Sequence, residues 1–184
     1  MKHPLISTAL LTILLVFSGV ALPADKAYRK GEPTSLSRAD QRFVNEAIRD
    51  NEAEIALANL AKEKSSSDAV KRFADRLLAD HTRANNELQS IANKLGHTPS
   101  KKLINMELRT VKKFQKMEPE KFDRAFVKHM VKDHENAIKL FRKESQDGQA
   151  PEVWQFATKT LPTLEQHLKM AQDLSGETGA RRRR

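Results

Sequence analysis

Two segments of the chain repeat one pattern: Phe73…Leu77…Asp80-His81…Ala84…Leu88 and Phe126…Met130…Asp133-His134…Ala137…Phe141. In each, the histidine follows an aliphatic residue by four, precedes an alanine by three and precedes an apolar residue by seven. At about 100° per residue, that spacing sets the imidazole on the apolar stripe of a helix, facing inward. His167 lies three after Leu164 and four before Ala171, and so falls on a stripe of its own. Glu54 shares its angular position with Phe43, Ala47, Ala58 and Ala61, although Ile48 and Ile55 draw the centre of that stripe to one side.

One carboxylate and three neutral imidazoles are a donor set for a single transition-metal ion, since they suit zinc, copper, iron or nickel. Glu54, His81, His134 and His167 are therefore candidate metal ligands. The same residues also fit a ligand-free reading, in which buried polar groups fix the register of the helices through hydrogen bonds among themselves. Asp80 and Asp133 precede their histidines by one residue and are turned about 100° away, so neither can share an ion with the histidine beside it. Each can instead accept a hydrogen bond from the outer nitrogen of an imidazole on a neighbouring helix. The alternative for Asp80 is an ion pair with Arg76 or Arg83 at helical spacing. His97 and His129 read as loop or boundary residues, and Glu165 points away from His167.

Other chemistries find little support. The chain has no cysteine, which excludes disulfides, thiol catalysis, thiolate ligands and a lipoprotein anchor. It holds no Gly-x-Ser-x-Gly elbow, no phosphate-cradling glycine loop and no Glu-x-x-His pair. No residue is assigned a catalytic role, and a non-catalytic binding or structural protein is the first expectation.

Four long helices must carry these side chains. The first starts at Ser37-Arg38-Ala39-Asp40, a capping-box pattern, and runs to about Lys64, with Phe43, Val44, Ala47, Ile48, Ile55, Ala58 and Ala61 inward. The second follows the Ser65-Ser66-Ser67-Asp68 turn and ends at Gly96. The third opens at Pro119 and stops at Asp147-Gly148, and the fourth opens at Pro151 and runs to Leu174. Pro162 removes a backbone donor from the fourth and should kink or break it near Thr160. Leu103 to Met117, within the long middle connection, reads as a short amphipathic helix. Short links make the first and second helices antiparallel neighbours, and likewise the third and fourth. The long link leaves the second and third parallel, which brings the two Asp-His copies to similar depth. Counted from the loops, at about 1.5 Å per residue, the four inward polar residues fall within roughly 9 Å of axial depth.

The 184 residues are enough for one domain with a core, and 39% apolar with 31% charged residues is ordinary for a helical protein. Lys2 and an uncharged run from Pro4 to Ala24 read as a signal peptide over residues 1–24, cleaved after Ala21 or Ala24; an uncleaved anchor is the alternative. Residues 25–36 read as a linker, 37–174 as the bundle and 175–184 as a disordered basic tail. The formal charge is +9. Without Lys2, 32 basic residues face 24 acidic ones, and Arg181 to Arg184 supply four of the excess, so the folded part carries only about +4. Export argues against a nucleic-acid partner despite the basic balance. At low salt, the arginine tail could hold the protein to an anionic envelope surface. The mature chain lacks the alternating strands of a membrane barrel, and the expected state is a monomer.

The segments Phe43 to Leu60 (FVNEAIRDNEAEIALANL), Phe73 to Leu88 (FADRLLADHTRANNEL), Phe122 to Phe141 (FDRAFVKHMVKDHENAIKLF) and Phe156 to Leu174 (FATKTLPTLEQHLKMAQDL) resemble bacterial domain of unknown function 4142. The matching elements are Asp80-His81, Asp133-His134, Phe122-Asp123 and Leu161-Pro162…His167, and the resemblance covers about residues 37 to 174. It implies an all-α, ferritin-like four-helix bundle that is exported to the periplasm or outer membrane, with no established biochemical role. Ferritin-like di-iron proteins use a Glu on two helices and Glu-x-x-His on the other two. With one inward glutamate and no Glu-x-x-His, this sequence departs from that pattern, and a single-metal or metal-free site is expected instead.

Overall fold

A computed structural model describes residues 36–99 and 105–181. The sequence-based signal peptide, most of the linker and Arg182 to Arg184 lie outside the described residues. Five helices occur among the described residues: α1 (Arg38–Lys64), α2 (Asp68–Lys94), α3 (Asn105–Gln115), α4 (Pro119–Asp147) and α5 (Pro151–Arg181). There is no strand among them, and no described helix is long and apolar enough to cross a membrane.

Local chemistry sets the ends. At the start of α1 the Ser37 hydroxyl accepts from the Asp40 amide at 3.1 Å, and the Asp40 carboxylate accepts from the Ser37 amide at 3.2 Å. This reciprocal box satisfies two amides that the helix cannot pair internally. Asp40 also accepts from the Gln149 amide at 3.0 Å, which ties the start of α1 to the α4–α5 turn. At Gly148 in that turn, a β-carbon would stand 2.6 Å from the Glu144 carbonyl and 2.7 Å from the Glu144 Oε1, so the close approach requires glycine.

The long helices form a four-helix bundle. α2 and α4 each pack against both α1 and α5 and so face one another across the diagonal, while α3 packs on α1 and α4. Two apolar clusters fix the directions. One joins Leu57, Ala58 and Ala61 of α1 to Val70, Phe73 and Leu77 of α2, Phe122, Phe126 and Met130 of α4, and Ala171 of α5. The other joins Val44 and Ile48, Leu88, Phe141, and Val153 with Phe156. The end of α1 thus meets the starts of α2 and α4, so α2 and α4 run parallel, as the loop lengths require. Burial of Phe73, Phe122 and Phe126, each at most 1% exposed, contributes about 2–3 kcal/mol apiece.

Three sequence expectations change. α5 passes through Pro162 without a break. The proline deprives one carbonyl of its donor, but Pro162 is itself exposed, so that carbonyl's turn faces water. The same helix continues to Arg181, where a disordered tail is expected from residue 175; no proline follows Pro162 to end it. In α1, Ile55 is only half-buried whereas Asn51, Glu54 and Leu57 are buried, so the stripe centres on Glu54 rather than beside it.

Candidate metal centre

Between the two apolar clusters lies a polar layer with one residue from each long helix: Glu54 of α1, His81 of α2, His134 of α4 and His167 of α5. All four are at most 4% exposed. The sequence-predicted ligands are therefore brought together in one place. The His81 Nε2 is 3.1 Å from Glu54 Oε2, the His134 Nε2 is 3.6 Å from the same oxygen, and the His134 Nε2 is 3.3 Å from His167 Nδ1. One nitrogen from each imidazole lies within 4.8 Å of the other two.

The far side of each ring explains which nitrogen faces inward. His134 Nδ1–H donates to the Met130 carbonyl at 2.9 Å, and His167 Nε2–H donates to Asp80 Oδ2 at 3.0 Å. His81 Nδ1–H donates to Asn51 Oδ1 at 2.8 Å. A backbone carbonyl and a carboxylate can only accept, so two of these bonds fix the tautomers of neutral His134 and His167, and the Asn51 oxygen orients His81 in the same sense. Lone pairs of His81 Nε2, His134 Nε2 and His167 Nδ1 then converge with Glu54 Oε2. Although the His81 and Glu54 atoms are close, they are not aligned for a hydrogen bond, and both remain without one in the interior. Converging lone pairs repel unless a cation, either a proton or a metal ion, sits among them.

Charge follows the same geometry. Burial alone would raise the Glu54 carboxyl, yet the imidazoles of His134 and His81 bring it down to about 2. Burial opposes a charge on His81, but the Glu54 carboxylate outweighs it and raises the imidazole above its usual 6.5. Burial, followed by the neighbouring His81, pushes His167 down to about 4 and leaves it neutral.

Asp80 and Asp133 part company. Asp80 holds His167 from outside and is itself held by Arg76 Nε at 2.5 Å and Arg83 at 2.6 Å, so the predicted imidazole partner and both predicted ion pairs coexist on one carboxylate. Asp133 reaches none of the three inward histidines. It pairs with His129 Nε2 at 3.0 Å on the face of α4 turned toward α1 and α3, because it follows His129 by one helical turn. His129 is thus a helix-interior residue and not a boundary one. His97 does lie in the loop after α2, with its Nε2 3.1 Å from Asn45 Oδ1. Glu165 pairs with Arg142 at the surface. Sequence reasoning missed Asn51, although its position three before Glu54 put it on the same inward stripe.

A divalent ion with bonds of about 2.0–2.1 Å to imidazole nitrogen and carboxylate oxygen spaces tetrahedral donors roughly 3.3–3.4 Å apart. The three pairs at 3.1, 3.3 and 3.6 Å match that spacing. The imidazole nitrogens lie within 4.8 Å of one another, so the widest pair closes by at most about 1.4 Å to reach that spacing. The residues present therefore fit a three-histidine, one-carboxylate centre.

No curated protein matches the chain. Among solved structures, a DUF305 fragment from Deinococcus radiodurans shares the fold, with a TM-score of 0.69 over 78% of this chain and 99% of that one. At 16% identity that likeness concerns the backbone alone. Residues 26–174 match the family described as Domain of unknown function (DUF4142), and the chain belongs to that family.

Proposed function

We propose that this protein binds one divalent transition-metal ion at Glu54, His81, His134 and His167. What carries the reading is the orientation of the rings: three outer nitrogens tied to oxygen acceptors, three inner lone pairs and a buried carboxylate oxygen aimed at one point. A borderline ion such as zinc, copper(II), nickel or cobalt suits nitrogen and oxygen donors, and the absence of cysteine leaves no thiolate for softer ions. With three protein nitrogens and one oxygen, the ion has few positions left for a substrate, which favours binding over catalysis. An exported location is part of the proposal and rests on the uncharged Pro4 to Ala24 run.

One observation favours a second reading. The depressed Glu54 and raised His81 form an internal ion pair that neutralises the layer without any ligand. On that reading the histidines fix helix register only.

Elemental analysis of untagged protein prepared without chelator separates the two, together with melting curves of apo-protein titrated with zinc, copper or cobalt. Metal binding predicts near-stoichiometric ion and stabilisation of about 2.7 kcal/mol at a free ion concentration one hundred times Kd. Both should vanish in His81→Ala and His134→Ala. Folded wild-type protein that takes up none of these ions would leave the histidines as architecture.

A further inference from the structure

A cavity of about 340 Å³ lies between α1, α3 and α4, outside the polar layer. Its wall carries five carboxylates, Glu46, Asp50, Glu54, Glu107 and Asp133, against one guanidinium, Arg49. That balance is opposite to the chain as a whole, where basic residues outnumber acidic ones by nine. Glu54 belongs to both places: it lines the cavity, it is 4% exposed, and its Oε2 lacks a hydrogen bond and lies 3.1 and 3.6 Å from His81 and His134.

From these facts, and resting on the metal-binding reading above, we infer that the cavity is the path by which a hydrated divalent cation reaches the buried centre, with Asp50 and Asp133 as staging carboxylates and Glu54 as the shared inner ligand.

The two ends of the bundle and the α2–α5 face are unfavourable to a cation. Above and below the layer lie the two apolar clusters. Toward α2 and α5, Asp80 is covered by Arg76 and Arg83, and Arg76 also reaches Gln166 of α5 at 3.4 Å. Two guanidiniums on that face repel an incoming ion. On the α1–α4 face the carboxylates crowd one another: burial raises Asp50 to about 7, with Glu46, Glu54 and Asp133 adding to it against the pull of Arg49. A divalent cation relieves that crowding more than a proton does, because it neutralises two carboxylates at once. His129, 3.0 Å from Asp133, adds an imidazole nitrogen suited to the same ions.

Stopped-flow loading of the full chain with Co²⁺, followed by the visible absorption of the bound ion, tests the path through rate rather than affinity. On a protein of net positive charge, a cation approaching at random loads faster as salt screens the repulsion. A carboxylate-lined path gives the reverse sign, with loading slowing as ionic strength rises. Asp50→Asn with Asp133→Asn should slow loading roughly tenfold and flatten the salt dependence while leaving one Co²⁺ per chain. The surface variant Glu165→Gln should load at the wild-type rate. Unchanged loading in the double variant, or wild-type loading that accelerates with salt, overturns the path. Wild-type protein that binds no Co²⁺ overturns instead the metal centre on which it rests.

Discussion

Replacing Glu54 with glutamine in metal-free protein tests whether the polar layer is charged as its geometry requires. Glutamine keeps the volume and resembles the protonated carboxyl, so the variant removes the charge alone. A carboxyl whose ionisation moves from 4.5 to about 2 on folding contributes about 3 kcal/mol of stability at neutral pH. The group is 4% exposed, so solvent screening does not reduce this greatly. For a domain of this size, the loss corresponds to a melting temperature lower by about 6–12 °C. The pH window follows from both partners. A depressed carboxyl contributes above its unfolded value of 4.5 and loses the contribution as pH falls toward 2. A raised imidazole contributes fully below its unfolded value of 6.5 and loses the contribution as pH rises through its folded value. The deficit of Glu54→Gln should therefore be largest between about 4.5 and 6.5 and should shrink in alkaline buffer as His81 loses its proton. Urea unfolding in excess chelator at pH 6 and pH 9 reads this directly. A variant as stable as wild type at pH 6, or more stable, would show that desolvation outweighs the pairing and would refute an ionised Glu54 beside a protonated His81.

Two further perturbations act at other points of the same bundle. Asp80→Asn should leave the four ligands in place but deprive His167 Nε2–H of its carboxylate, so metal affinity falls about 10–100-fold with stoichiometry unchanged, as isothermal titration would show. Glu144 is raised to about 8 by burial and by its contact with Asp40, so its neutral form is favoured in the folded state and stability falls as pH rises from 4.5 through 8. Glu144→Gln should remove that decline, of the order of a few kcal/mol, and melt above wild type at pH 9; equal melting temperatures there would count against a protonated Glu144.

The helices were legible because their signals are local. Ser37 with Asp40, Pro119, Pro151 and the Gly148 turn act within a few residues, and the boundaries follow them. The meeting of Glu54, His81, His134 and His167 was legible for a related reason. Each residue's angular position is set within its own helix, and loop lengths alone align the four helices in depth. What the sequence did not reveal depends on contacts between helices. Asp80 and Asp133 look equivalent in the repeat, yet α2 packs against α5 at Asp80, whereas the Asp133 side of α4 looks toward α1 and α3. The repeat encodes two similar helix faces, and their different neighbours give the two aspartates different roles. The cavity beneath α3 was equally hidden, since it needs that short helix to lie over α1 and α4.

The placement of the layer accounts for its capacity to hold three imidazoles in one orientation. Apolar clusters pack both ends of the bundle, so the four helices that carry Glu54, His81, His134 and His167 cannot slide or rotate independently near the middle. Every outer nitrogen is fixed by an oxygen on the protein, from a backbone carbonyl, an asparagine and an aspartate that is itself held by two arginines. A single inward carboxylate limits the positive charge the layer can balance. Two divalent ions bring four positive charges, and ferritin-like di-iron sites meet that demand with a glutamate from every helix. Here three helices offer neutral histidine in place of glutamate, and Asp80 and Asp133 are turned outward. The layer is thus matched to one ion or one proton: Glu54 favours a proton on His81, and that proton competes with a metal ion for the same nitrogen, so metal affinity should fall as pH falls.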